Sequence, residues 1–413
     1  MTGGGSLASF FLRLGRQVWV RAALFTVVGI GIALVAGLVG PLLPFSISID
    51  LGQNAVGSLL QIIATAMLTV STFSVTAMVT AFSSATTTAT PRSTPLLIAD
   101  TTSQNAVSTF VGAFTYSLVG IVALSTGYYT EQGRTILFVG TLVVIAIVVF
   151  TLLRWISHLS TFGRMADVID RVEKAATTAL EAHAASPTLG ARTLTAIPSD
   201  THTIRAQAVG YVTYLDVPAL DSIAEKHGVH IYVTATPGRI ADARTPLVHL
   251  SGPVDDDLTA AVRGAFRIEH HRTYEQDPRF GIIALAEIGS RALSPSTNDP
   301  GTAIEVIAAL QRILARALAI EREKDVAYPH VSLVPASLHD LVADAFRPLA
   351  RDGASVVEVQ IRLQKCLASL AASAPAHAFR DAARAAFARS RRALDRDDTR
   401  VLKSAMREAW ALG

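Results

Sequence analysis

The chain has 413 residues, half of them hydrophobic, and its 36 basic and 33 acidic side chains leave a formal net charge of +3. So small a balance excludes a protein that tracks nucleic-acid phosphates, and a single cysteine, Cys366, excludes an internal disulfide or a cysteine-based metal site. Only eight of the charged side chains precede Arg154, so an apolar membrane module is followed by a soluble one.

Four apolar runs, at about residues 22–43, 56–82, 106–126 and 135–153, are each near the roughly 20 residues that a helix needs to cross hydrocarbon. With no water to satisfy backbone groups, helices are the form expected for them, in a transmembrane module over residues 1–153. Ahead of the first run Leu7, Phe10, Phe11, Leu14 and Val18 repeat at helical spacing beside Arg13 and Arg16, the pattern of a short interfacial helix. The first run is too long for the core of a signal peptide, so a retained anchor is expected. Trp19 and Trp155 stand where aromatic belts are expected. Arg13, Arg16 and Arg21 precede the first run, Arg92 lies between the second and third, and Arg154 and Arg164 follow the fourth. The other two connections hold only Asp50, Glu131 and Arg134. That bias predicts a bacterial inner-membrane protein with both termini and the soluble module in the cytoplasm.

In the second run Ser58, Gln61, Thr65, Thr69, Thr72, Thr76, Thr80, Ser83 and Thr87 recur at steps of three or four, one face of a helix. Leu60, Ile63, Met67, Val70, Phe73 and Ala77 occupy other faces, and Ser71 and Ser74 lie off the stripe. Hydroxyls on a membrane helix serve either close packing, since they bond across helices or back to their own carbonyls, or the wall of a wettable path through an oligomer. Pro91 predicts the end of this helix, Pro95 predicts that it does not restart at once, and Arg92 falls at the inner mouth. In the third run Ser108, Gly112, Tyr116 and Gly120 share a face, a small-residue spacing that marks helix packing.

The apolar stripe of the fourth run continues through Ile156, Leu159, Phe162, Ile169, Val172, Ala176 and Leu180. It predicts a helical extension over 154–185 that projects roughly 45 Å. The stretch from Ser186-Pro187 to Asp200 reads as a linker. Strand-like runs at 209–217, 229–235 and 247–250, punctuated by Pro237-Gly238 and Thr245-Pro246, predict a small β domain over 204–255. A mainly helical domain over 256–413 follows, with segments at 256–266 and 280–293. Its next helix opens with Asp299 as N-cap and Pro300 in the first turn, ahead of Ile304, Ile307, Leu310 and Leu314. From Ser337 the chain reads as helical to its end, with a break near Ala374-Pro375. The fold class expected is an α-helical membrane module of four transmembrane helices followed by a cytoplasmic α+β module.

Three stretches carry a likeness: GYVTYLDVPAL, TPGRIADARTPLVHL and, above all, HHRTYEQDPRFGIIALAEIGSRALSPSTNDPGTAIEVIAAL. The last contains Arg272, Thr273, Glu275, Gln276, Asp277, Pro278 and Phe280 in the form RT-x-EQDP-x-F, then Ala292 through Ala303 as ALSP-x-x-NDP-x-TA. With these motifs the chain resembles the bacterial predicted membrane proteins grouped as domain of unknown function 2254, over nearly its whole length, including LVADAFRPLARDGASVVEVQ. The resemblance implies the architecture of spans and soluble domain and brings no activity. The pair His270-His271 departs from the family pattern.

The candidate interface or ligand residues are Asp277, Ser294, Asn298, Asp299 and Thr302. The last four gather at a helix N-terminus, whose amides attract anions, although an N-cap Asp299 would already occupy those donors. Glu287 and Arg291 stand four apart, the spacing of a helix-face ion pair. His227 with His230, and Glu269 with His270 and His271, lack a second cluster at ligand spacing, so no metal is expected. Neither a phosphate-binding glycine loop between strand and helix, nor a nucleophile elbow, nor an HExxH pattern occurs, so no catalytic residue and no cofactor is expected. Residues 236–250 resemble the hairpins of lipoyl-like domains, but 231–253 hold no lysine to carry the group.

These readings converge on a homo-oligomeric channel or pore-like protein in the lipid bilayer, passing small ions and not binding nucleic acid. Thr65, Thr69, Thr72, Thr76, Thr80, Ser83, Thr87 and Arg92 would line the path, and the cytoplasmic module would assemble and gate it. The alternative is a membrane-anchored scaffold or sensor acting through cytoplasmic partners. A membrane enzyme, the third class, would need a site near Asp277 and Asn298.

Overall fold

A computed structural model describes residues 18–39, 53–373 and 376–411. The interfacial stretch with Leu7, Phe10, Phe11 and Leu14, the arginines Arg13 and Arg16, Asp50 and the break at Ala374-Pro375 lie outside the described residues, as do the side chains of Val18, Trp19 and Arg21. The chain forms two compact units, Met1–Thr87 with Thr94–Asp167, and Thr88–Ser93 with Val168–Gly413.

The first unit contains helices α1 (Val18–Val39), α2 (Gln53–Thr88), α3 (Thr94–Ile98), α4 (Thr101–Ser125) and α5 (Glu131–Leu159). Among the described residues three helices, α2, α4 and α5, are long and apolar enough to cross a membrane, while the apolar part of α1, Ala22–Leu38, is shorter. Helix α2 outruns the expected 56–82 because its polar end satisfies itself: Thr86 Oγ1 donates to Phe82 O at 2.8 Å and Thr87 Oγ1 to Ser83 O at 3.0 Å. It stops before Pro91, and residues Pro91–Ser93 make one 3-10 turn. Pro95 does not prevent a restart, contrary to the sequence expectation. It sits in the first turn of α3, where a missing N–H costs nothing.

Small residues let α1 and α4 approach, since a Cβ on Gly29 would lie 2.8 Å from the Gly112 carbonyl oxygen. Gly120, on the same face of α4, is covered by Leu60, which a Cβ there would meet at 3.0 Å, so the small-residue face is a packing face. Tyr116 Oη lies 3.0 Å from Thr141 Oγ1, and Tyr129 Oη donates to Ala33 O at 2.7 Å. Trp155 is not at an aromatic belt. It is buried in the unit, where its indole N–H donates to Ser74 Oγ at 2.9 Å. Ser74→Val is therefore expected to lower the melting temperature in detergent, by about 1–3 kcal/mol of stability for an indole donor left without an acceptor; an unchanged melting temperature would refute the role.

The expected continuous extension over 154–185 is broken. Helix α5 ends at Leu159, and the turn at 160–164 contains Gly163 at φ 74°. The Asp167 carboxylate accepts from Gly163 N at 2.9 Å, and a separate helix α6 (Met165–Ala185) begins.

The second unit is α/β. Its strands are β1 (Ala191–Thr193), β2 (His202–Arg205), β3 (Gly210–Leu215), β4 (Ile231–Val233), β5 (Ile240–Ala241), β6 (Pro246–Leu250), β7 (Phe266–Glu269) and β8 (Tyr328–Leu333). Five form a mixed sheet in the order β1-β8-β4-β6-β2 and three an antiparallel sheet in the order β5-β3-β7. Helices α7 (Val217–His227) and α8 (Asp256–Gly264) pack with them around Val212, Leu220, Ile231, Val248, Val262 and Val331. The β region therefore exceeds the expected 204–255: it takes a strand from the supposed linker, one that follows α8, and β8 from more than 70 residues downstream of β6. Strands β5 and β6 belong to different sheets, so residues 236–250 form no lipoyl-like hairpin.

The rest is helical: α9 (Phe280–Ala292), α10 (Pro300–Leu318), α11 (Leu338–Asp352), α12 (Val357–Ala371), α13 (His377–Ser390) and α14 (Arg396–Ala411). Asp299 caps α10 and Pro300 opens it, as expected.

Candidate functional site

The hydroxyl stripe of α2 is one exposed face. Ser58, Gln61, Thr65, Thr69, Thr72, Thr76, Thr80, Ser83 and Thr87 are all exposed, whereas Val56, Leu60, Ile63, Met67, Ser71, Ser74, Met78 and Ala85 are buried. At 100° per residue the two sets are about 180° apart, so the stripe points away from the face that packs in the protomer. Each threonine bonds back along the helix: Thr69 Oγ1 donates to Thr65 O, Thr72 Oγ1 to Leu68 O and Thr76 Oγ1 to Thr72 O, each at 3.0 Å, and Thr80 Oγ1 to Thr76 O at 2.9 Å. The oxygens keep acceptor capacity on an otherwise apolar surface. Packing among the described residues of the protomer does not use them.

Arg92 lies beyond the stripe, in the short segment Thr88–Ser93 that belongs to the second unit. Its guanidinium pairs with Glu287 on α9, whose carboxylate also accepts from Thr90 Oγ1 at 3.3 Å. Tyr274 Oη donates to Arg92 O at 3.0 Å, and burial pushes the Tyr274 hydroxyl pKa upward. Thr90 and Ser93 are buried, so the segment is clamped by side chains 180 and more residues away. Glu287 thus serves Arg92 instead of acting only in the expected spacing with Arg291.

The distinctive motif is a lock between the small sheet and α9. Gln276 Oε1 accepts from Leu215 N at 2.8 Å and Gln276 Nε2 donates to Leu215 O at 3.3 Å, replacing ladder bonds at the end of β3. Arg267 reaches Glu275 at 2.7 Å. Asp277 is buried, ion-paired with Arg272 at 2.7 Å, and accepts from Arg279 N at 3.1 Å and Phe280 N at 3.2 Å, where α9 begins. Gly238, at φ 89°, lies against that carboxylate so closely that a Cβ there would overlap it.

Ser294, Asn298, Asp299 and Thr302 gather at the other end of α9, whose 13 residues span about 20 Å. Asp277 and these four therefore make two clusters and not one site. Asp299 accepts from Thr302 N at 3.1 Å and Thr302 Oγ1 at 2.6 Å, Ser294 Oγ donates to Arg291 O at 2.7 Å, and Asn298 takes a left-handed φ of 48°. The donors expected to attract an anion are occupied by the cap. Bonds from Thr302 hold the Asp299 carboxyl below its ordinary range. A depressed folded pKa adds stability above the unfolded value, near 4, which is lost as pH falls through the folded value. Asp299→Ala is expected to cost about 1 kcal/mol, and the difference in melting temperature from wild type should vanish in acid below both pKa values. An unchanged difference there would exclude the capping carboxylate as its source.

His230 Nε2 lies 2.8 Å from Ser332 Oγ, and no group of three or more His, Cys, Asp or Glu side chains suited to a metal occurs among the described residues. Tyr274, Thr90, Gly238 and the pairing of Glu287 with Arg92 escaped sequence reasoning because these roles lie in contacts between distant segments. Only the Pro-Gly turn hinted at Gly238.

A family profile described as "Predicted membrane protein (DUF2254)" matches residues 15–369, most of the chain and both units. The chain belongs to this family. Similar to this DUF2254 member are two uncharacterized proteins, one from Mycobacterium tuberculosis and one from Mycobacterium bovis, each 26% identical over 333 residues. The match takes in 75% of this chain and 62% of each relative, so the chain spans less than two thirds of their length. No solved structure matches it. The family places the protein among membrane proteins, in agreement with its three candidate spans.

Proposed function

We propose that this protein is a homo-oligomeric membrane channel whose path is lined by the hydroxyl face of α2, from Thr65 through Thr69, Thr72, Thr76, Thr80 and Ser83 to Thr87. In this reading α1 is a fourth span, both termini and the second unit lie in the cytoplasm, and the membrane is the bacterial inner membrane. The observation that carries it is the outward orientation of an unbroken polar stripe opposite the packed face of α2. Against lipid such a face gains nothing; around an axis of identical copies it makes a neutral, wettable wall. The path carries no ring of charge, and the charge of Arg92 is balanced by Glu287, so weak selectivity by charge is expected. The second unit would assemble the oligomer and act on the path through the segment that follows α2.

A scaffold or sensor is favoured by one observation, the bonding of the threonine hydroxyls to their own helix, which removes any need for water. Copies would then pack stripe to stripe, and the second unit would bind partners. Ion flux into liposomes holding the purified protein separates the two: a channel passes a defined ion, and a scaffold passes none under any potential, pH or tension.

A further inference from the structure

The second unit contains a cleft of about 690 Å³ between α9 and α11, with Arg389 of α13 at its edge. Each carboxylate around it is already paired. Glu287 holds Arg92, Asp344 takes a two-pronged bond from Arg279 at 2.6 and 3.1 Å, and Asp352 binds Arg351 and Ser290. The described residues put no carboxylate within ion-pair distance of Arg347 or Arg389. Two guanidinium groups on different helices therefore line one concavity with no carboxylate of their own in ion-pair contact among the described residues.

Arg347 and Arg389 also line an adjoining pocket of about 290 Å³ with Val342, Phe346 and Leu363 on its walls, and with His339 and Asp381, whose carboxylate is paired with Arg384 at 3.5 Å. That volume exceeds the roughly 150 Å³ of an apolar cavity that accepts benzene. We infer that this double cavity binds a phosphate monoester with a compact apolar or aromatic body, the phosphate held by Arg347 and Arg389 and the body against Phe346. A phosphate monoester is close to a dianion at neutral pH, which matches two such cations, and guanidinium forks suit phosphate oxygens better than ammonium groups do. A soluble phosphate ester and the monoester headgroup of phosphatidic acid share this chemistry. Glu287, on the wall of the same cleft, holds Arg92, so the occupant would sit beside the segment that follows α2. The site is argued from the second unit alone and does not depend on whether anything permeates.

The test is calorimetric titration of the full chain, in nanodiscs of phosphatidylcholine, with phenyl phosphate and with inorganic phosphate. Phenyl phosphate should bind the more tightly. Arg347→Gln with Arg389→Gln should weaken it about tenfold or more, and the two lysine replacements should fall between, since they keep charge and lose the fork. Arg400→Gln, an exposed arginine paired with Asp397, should bind as wild type does. Equal binding by the double glutamine variant, or no binding of phenyl phosphate by wild type, overturns the inference. Phosphatidic acid, a lipid phosphate monoester, added to the nanodiscs identifies the source: displacement of phenyl phosphate assigns a lipid headgroup, and undiminished binding assigns a soluble ester.

Discussion

In liposomes, the Thr72→Val, Thr76→Val double variant is expected to pass the permeating ion about tenfold or more slowly than wild type, a barrier increase of about 1.4 kcal/mol or more, while keeping the wild-type assembly size. Valine has nearly the shape of threonine, so the path keeps its width and loses two successive polar patches. Both positions are exposed and bond only to carbonyls of their own helix, so the protomer loses no contact between helices. A stability change within about 0.5 kcal/mol is expected, as for exposed positions generally. Flux by an ion-sensitive dye and assembly size by light scattering make the pair of measurements. Unchanged flux at unchanged size would remove the stripe from the path. A fall in assembly size would make it an interface between copies and favour the scaffold.

Asp277→Ala is expected to destabilise the second unit by about 3–5 kcal/mol, the cost of leaving a partner charge buried and alone. Arg272 has 19% of its side chain exposed and would lose that carboxylate, and the first turn of α9 would lose its acceptor for the Arg279 and Phe280 amides. Asp277→Asn, which keeps an acceptor but no charge, should fall between. Thermal unfolding followed by near-ultraviolet circular dichroism reads both. The alternative, that Asp277 serves a ligand or partner, predicts the reverse: a melting temperature close to wild type and a lost binding event.

Much of this protein was legible in local pattern. The hydroxyl stripe needed only the helical period, which alone places Thr65 to Thr87 on one side of α2. Asp299 before Pro300 announced the start of α10 through cap chemistry that involves only neighbours in the chain. Both signals are short in range, and such signals survive whatever the rest of the molecule does.

Other features had no local signature. Strand β8 lies between β1 and β4 as a parallel neighbour of both, and a six-residue stretch such as YPHVSL says nothing of which strands it will join. Strand β7 hid in a stretch that read as helical because α8 ends only two residues before it. Trp155 matched the expected place of a belt tryptophan until Ser74 supplied an acceptor in the interior. The continuous period through 154–185 concealed the turn at Gly163, since apolar periodicity records which side faces a core and not whether one helix or two present it.

By itself, the sequence determined the division into an apolar and a charged module, the long helices and the polar face of α2, because hydrophobicity and helical period act between residues a few positions apart. Only the tertiary structure decided that this face points away from the packed interior, that Arg92 is held by Glu287 and Tyr274, and that Asp277 locks α9 instead of meeting Asn298 and Asp299. Those outcomes depend on charges and hydrogen-bonding groups up to some 195 positions apart in the chain, whose pairing is chosen by burial and geometry once the core has closed.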